Sequence, residues 1–201
     1  KPMMEHIIEL LVRFGIRDIA VTLQYMPEII REYFSDGSLF NARIRYYVED
    51  KPLGTAGSVK NAEDFLDDTF IVISGDALTD INLNALVAFH RDRNAMATLV
   101  LKRVDVPLEY GVVVTDGEGR IIRFIEKPGW SQVFSETVNT GIYILSPEVL
   151  KYVRTDRPFD FSKDLFPMLL DEGKALYGYE TDCYWCDVGD VAAYIKANAD
   201  V

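Results

Sequence analysis

Apolar positions along the first half of the chain alternate between helical and extended spacing. Met3, Ile7, Leu10, Leu11 and Phe14 recur at helical spacing over 2–14, with Pro2 suited to the first turn and Gly15 to the stop. Extended runs follow at 16–23 and 44–48, and a short helix at 27–34 separates them. A helical pattern covers 55–65. TFIVIS at 69–74 is continuously apolar, as expected of a strand buried on both faces of a parallel sheet. A helix spans 84–93, with Asp80 or Asn82 as its cap.

The pattern then changes. Strands at 97–104, 110–115 and 120–125 are joined by turns, among them DGEG at 116–119, a hairpin signal. Another strand covers 138–145, helices cover 147–153 and 163–171, an extended stretch runs over 176–186, and a helix closes the chain at 190–199. This predicts an α/β fold, Rossmann-like and doubly wound, with a mixed, mainly parallel sheet flanked by helices. The opening helix has no strand before it, so a first strand and its loop are expected to be missing from these residues.

Size and charge narrow the function. The 201 residues are 49% hydrophobic and 12% aromatic, which suits one substantial domain over 1–201 and excludes disorder. A net charge of −11 argues against nucleic acid and anionic membrane as partners, though phosphates can be held locally by Lys, backbone N–H groups or a divalent metal. No apolar run reaches the roughly 18 residues of a spanning helix, and a cytoplasmic location is expected. Cys183 and Cys186 form C-x-x-C within an aromatic, strand-like run. With only His6 and His90 as further soft ligands, a reduced strand is favoured over a redox or zinc site.

Ligands of open α/β sheets gather at the carboxyl ends of strands. VEDKPLGTAGSV, 48–59, puts Pro52, Gly54 and Gly57 between a strand and a helix, as a loop pressed against a flat ligand would. SGDALTD, 74–80, places Asp76 directly after the apolar strand, and Asp80 and Asn82 are left to cap the next helix. In YWCDVGD, 184–190, Asp190 fits the capping role better, which leaves Asp187 unexplained. Two carboxylates with phosphate oxygens are a common Mg²⁺ site. FIEKPGW, 124–130, ends a strand on Glu126 and Lys127, which face opposite ways unless a turn reorients them; an ordinary solvated strand end is the plainer reading of that stretch. Asn139 and Thr140 precede an apolar strand, and Gly111 could let a ligand approach the backbone.

The order PLGTAG, SGD, YGVV, EKP, NTGIY, WCDVGD resembles the sugar-1-phosphate nucleotidyltransferase (NDP-sugar pyrophosphorylase) family over essentially the whole chain. Within it the chain looks most like the mannose-1-phosphate guanylyltransferases. The resemblance implies a GT-A-like fold lacking its first strand, with a nucleotide-binding part over about residues 1–95 and a sugar-binding part over about 96–190. It implies transfer of a nucleotidyl group from a nucleoside triphosphate to a hexose 1-phosphate, with pyrophosphate released and no covalent intermediate. Asp76 and Asp187 are then the carboxylates for Mg²⁺. Lys127 takes the sugar phosphate. Glu126 and Asn139 hydrogen-bond hexose hydroxyls, with Thr140 and the Gly111 backbone nearby. Glu49 and the segment after it, Pro52, Gly54 and Thr55, read the nucleobase.

At that position chemistry discriminates among bases. Guanine presents N1–H and its 2-amino group side by side, and a carboxylate accepts both. Uracil and thymine present one donor between two acceptors, which suits an amide. Glu49 therefore favours GTP, with Asp50 as a rival for the role. The family's Gly-rich loop, with its Arg and Lys, is not among these residues. The 201 residues by themselves are accordingly expected to be inactive or nearly so. A glucose-1-phosphate enzyme using UTP, dTTP, CTP or ATP, and a non-catalytic nucleotide-sugar sensor, are the competing readings. A homo-oligomer is compatible with all three.

Overall fold

The structure is a computed structural model that describes residues 1–129, 131 and 133–200. Its elements are α1 (Met3–Arg13), β1 (Asp18–Leu23), α2 (Pro27–Phe34), β2 (Arg43–Val48), α3 (Thr55–Asn61), β3 (Phe70–Ile73), β4 (Ala77–Thr79), α4 (Leu83–Asp92), β5 (Ala97–Arg103), β6 (Gly111–Thr115), β7 (Ile121–Glu126), β8 (Thr137–Leu145), α5 (Phe166–Asp171), β9 (Leu176–Glu180), β10 (Trp185–Asp187) and α6 (Val191–Asp200).

β8 organises the sheet. It runs antiparallel to β5 along one edge and to β3 and β6 along the other. β9 extends the sheet parallel to β5, and β7 extends it antiparallel to β6. The period of two along β5 and β8 separates two cores. Leu99, Leu101, Tyr143 and Leu145 face Phe161, Leu165, Phe166 and Leu169. Val100, Ile142 and Ile144 face the side of α1 and α4, with Ile8, Leu11, Leu83 and Leu86. β1 and β2 form a separate parallel pair, and β4 and β10 an antiparallel one.

The mixed α/β architecture is the one expected from sequence, but antiparallel pairings outnumber parallel ones among the described residues. The expectation of a mainly parallel sheet missed the central, reversed position of β8, which no local pattern encodes. β3 is half-buried rather than buried on both faces, and among the described residues it pairs only with β8. The helical pattern of 55–65 divides into α3 and a 3₁₀ turn at Glu63–Phe65. The segment 147–153 is a 3₁₀ helix at Pro147–Tyr152, and 163–171 starts in a π-turn at Phe161–Leu165 before α5. The stretch 176–186 is two strands. Between them the Thr181 hydroxyl accepts from the Cys183 N–H (3.2 Å), a local turn that breaks the run. Of the two candidate caps for α4, Asn82 takes the role, its side chain accepting from Ala85 N–H (3.1 Å).

His90 is the buried ionisable group of the sheet's α4 side. Its Nδ1 lies 2.9 Å from the Thr98 hydroxyl, and burial, then repulsion from Arg91, holds its pKa below the ordinary value. The fold thus keeps His90 neutral, whereas the unfolded chain protonates it near its usual pKa of about 6.5. Its contribution to stability is complete above that pH and is lost as pH falls through the lower folded value. Thermal unfolding between pH 7.5 and 5.5 is expected to show a falling midpoint, with a shallower slope in His90→Gln. An unchanged slope would mean that His90 carries none of the effect.

Candidate active site

β3 delivers the chain to Ser74, Gly75 and Asp76, where β4 begins. The Ser74 hydroxyl donates to Asp76 Oδ1 (2.5 Å), and Ala77 N–H bonds back to Ser74 C=O (3.0 Å). The β4–β10 ladder sets Ala77 opposite Asp187, and Val188 N–H donates to Asp76 C=O (2.9 Å). This short ladder is what brings two acids together that lie far apart in sequence. Partial burial, then repulsion from Asp76, pushes the Asp187 carboxyl pKa up, and Lys127 opposes the shift. Asp190 is the cap of α6, accepting from Ala193 N–H (2.7 Å), so Asp187 is free of that duty. A depression of about 390 Å³ opens beside Asp76, lined also by Gly189 and Tyr194.

Glu126 and Lys127 end β7 at a kink. Lys127 has φ 44°, a left-handed conformation that costs a non-glycine residue about 1–3 kcal/mol, and the following Pro128 restricts it further. Its N–H is tied to Tyr110 C=O (3.0 Å). The kink departs from the strand's alternation, and the Lys127 charge opposes the upward pKa shifts at both Glu126 and Asp187. Gly111, paired with Glu126, leaves room for the carboxylate: a Cβ there would lie 2.7 Å from Glu126 Oε2 and 2.8 Å from the Phe124 ring. Burial and then Asp160 push the Glu126 pKa up, and Lys127, Lys163 and Ser162 oppose this.

Asn139 and Thr140 are buried on β8. Asn139 Nδ2 donates to Tyr143 Oη (2.9 Å) and Ser162 Oγ (3.2 Å), and its Oδ1 accepts from Gly141 N–H (3.2 Å). Burial pushes the Tyr143 phenol up to about 12, so it stays a neutral partner of Asn139. The Thr140 hydroxyl donates to Val100 C=O (2.8 Å), and its own carbonyl accepts from Trp185 Nε1 (3.1 Å). Trp185 stacks edge-on against Tyr110, linking the EKP kink to β10.

The loop after β2 has a defined shape. Glu49 N–H bonds Leu23 C=O (2.8 Å), and Glu49 Oε2 accepts from Leu53 N–H (3.2 Å). Asp50 and Pro52 are exposed. Gly54 has φ 78°, and a Cβ on it would lie 2.6 Å from Phe159 O. The Thr55 hydroxyl donates to Asp160 Oδ2 (2.8 Å). Ser74, Tyr143, Trp185, Asp160 and Ser162 were not singled out from sequence. Of these, Asp160 carried a readable signal, because D-F-S before an apolar run is a capping pattern, and its side chain does accept from Ser162 N–H and Lys163 N–H (2.9 and 3.2 Å). Cys183 and Cys186 are free thiols flanking and within β10. Among the described residues no helix is long and apolar enough to cross a membrane.

Comparison with known proteins places the chain in a family. The model of the nucleotidyl transferase family matches residues 1–201. A UTP–glucose-1-phosphate uridylyltransferase from Synechocystis is 41% identical over 98% of the chain and 54% of its own length. A mannose-1-phosphate guanyltransferase from Yarrowia lipolytica is 39% identical over 98% of the chain and 54% of its own length. The chain thus spans about half the length of the curated relatives it matches. Among solved structures, a glucose-1-phosphate thymidylyltransferase from Bacillus anthracis, itself described as putative, superposes with a TM-score of 0.86 at 26% identity, covering 98% of this chain and 81% of the other.

Proposed function

The chain belongs to the nucleotidyl transferase family, and from that membership we propose that it transfers a nucleotidyl group from a nucleoside triphosphate to a hexose 1-phosphate. The observation that supports this reading is the β4–β10 pairing, which brings Asp187 to the segment that follows Asp76 at a strand end. An oxygen of the sugar phosphate attacks the α-phosphorus. The new P–O bond forms as the bond to the β-phosphate bridge breaks, and pyrophosphate departs. The protein's part is alignment of two anions and neutralisation of charge.

The donor set fits Mg²⁺: Asp76 precedes Ala77, which the β4–β10 ladder sets opposite Asp187, and carboxylates are the hard oxygen ligands that ion takes. Asp76 and Asp187 would hold it, and when bound it supplies charge neutralisation on the transferring phosphoryl group. Lys127, held by its kink, receives the sugar phosphate as a point charge. Glu126, seated over Gly111, addresses hexose hydroxyls, as does Asn139 through the acceptor capacity left on its Oδ1, its two N–H donors being taken by Tyr143 and Ser162.

GTP is the favoured triphosphate and mannose 1-phosphate the favoured acceptor. Glu49 supports this choice. One of its oxygens is spent on Leu53 N–H, which fixes the carboxylate in the loop and leaves acceptor capacity for the two donors of guanine. A second reading, UTP with glucose 1-phosphate, is favoured by the 41% identity to the Synechocystis relative. Glu49→Gln separates them. On the guanine reading, the GTP-over-UTP preference in pyrophosphate release drops by about 10–100-fold, the worth of a charged hydrogen-bond pair. Retention of GTP preference in that variant would refute the role given to Glu49.

A further inference from the structure

The segment 157–163, which sequence reading left without a function, touches both halves of the site. On one side it is bound to the loop after β2. Phe159 N–H donates to Leu53 C=O (2.7 Å), and Phe159 C=O accepts from the N–H groups of Ala56 and Gly57 (both 3.0 Å). The Thr55 hydroxyl donates to Asp160 Oδ2 (2.8 Å) and accepts from Phe161 N–H (2.9 Å). Gly54 is pressed so closely to the Phe159 backbone that no side chain fits between them. On the other side, Asp160 Oδ1 fixes Ser162 N–H, and Ser162 Oγ accepts from Asn139 Nδ2 (3.2 Å). Burial, then Asp160 of this segment, raises the Glu126 pKa, and Lys163 and Ser162 act against that shift.

Hydrogen bonds therefore link Glu49 through Leu53 to Phe159, and, from its chain neighbour Asp160, through Ser162 to Asn139. Here each junction is bonded, and among the described residues no buried side-chain N or O atom lacks a partner.

We propose that 157–163 is a strap that couples the two substrates, with Thr55, Asp160 and Ser162 as positioning residues through which order in the nucleobase loop is passed to Asn139. This rests on the assignment of those two places to nucleotide and hexose phosphate. Binding of the triphosphate draws the loop tight and presents the strap to the sugar side already ordered, so the second ligand loses less freedom on binding. Linkage requires the effect to be mutual.

The test is calorimetric titration of the full encoded protein with mannose 1-phosphate and Mg²⁺, with and without a non-hydrolysable GTP analogue, and the converse. A uracil analogue with glucose 1-phosphate is run in parallel. The wild-type protein is expected to bind each ligand at least about 5-fold more tightly when the other is present. Ser162→Ala leaves the strap's bonds to the loop and cuts its bond to Asn139. Thr55→Val removes the side-chain bonds from the loop to Asp160 and Phe161 while the Phe159 backbone bonds remain, and Thr55→Ser restores the hydroxyl. Ser162→Ala is expected to bring the coupling factor near one, and Thr55→Val to lower it, with Thr55→Ser recovering it. A merely structural role would weaken the ligand at the mutated side and leave the coupling factor as it was, and that outcome overturns the strap. Should Thr55→Val not fold, Ser162→Ala alone decides. Wild-type binding of both ligands without coupling also overturns it and leaves the proposed function standing; binding of neither ligand overturns both.

Discussion

Asp187→Asn is expected to lose about 10³-fold in kcat while melting no lower than the wild-type protein. The size is that of several kcal/mol of lost charge stabilisation on a transferring phosphoryl group. The direction of the stability effect follows from the site. Partial burial, then Asp76, disfavours the charged form of Asp187, so the protein holds that carboxylate against desolvation and repulsion. An amide of the same shape removes the repulsion and keeps β10 in register with β4. Stability and activity should therefore move apart, as they do where a site is held for function at a cost to the fold. Circular dichroism melts and initial rates of pyrophosphate release on the same preparation check both halves. A large fall in melting temperature would show that Asp187 is a structural acid, and unchanged kcat would remove it from the chemistry.

Gly54→Ala is expected to destabilise the fold by about 2–4 kcal/mol, the sum of a left-handed backbone conformation and an overpacked contact. Two separate observations require glycine. The φ of 78° is disfavoured for any L side chain, and a Cβ would lie 2.6–2.8 Å from the O, N and C atoms of Phe159, which are backbone and have no rotamer to move to. Denaturant unfolding, read from midpoint and slope, measures the loss. A change under about 0.5 kcal/mol, the range of an ordinary surface substitution, would mean that the loop and the 157–163 segment are not in close register.

How far the site was legible depended on the range of the contact that makes it. Asp76 could be found because a short apolar run and then Gly-Asp is a local pattern, and Asp187 could be isolated because Asp190 fits the α6 cap, which it occupies. That the two acids meet was not legible. It is decided by β4, three residues long and too short for any periodicity to register, pairing with β10 from the other end of the chain. Glu126 and Lys127 were readable as charges at a strand end, but their cooperation depends on the left-handed kink at Lys127, where Pro128 argues against a helical conformation and nothing in sequence points to this one. At Gly54 the sequence marked a special backbone and attributed it to a ligand. The structure adds a nearer reason, the Phe159 backbone packed where a side chain would be. Asn139 was read as a sugar ligand, and its amide is already bonded to Tyr143 and Ser162, partners that local pattern could not supply. The fold followed the same rule. Helical and extended periods located most elements, and the reversed central position of β8 was beyond them.

The most direct test is pyrophosphate release by the full encoded protein with Mg²⁺ across GTP, UTP, dTTP, CTP and ATP, each paired with mannose 1-phosphate and glucose 1-phosphate. The account predicts release that requires both substrates, is fastest with GTP and mannose 1-phosphate, and yields the matching NDP-sugar. Binding of an NDP-sugar with no pyrophosphate from any pair would contradict it and leave a nucleotide-sugar sensor in its place.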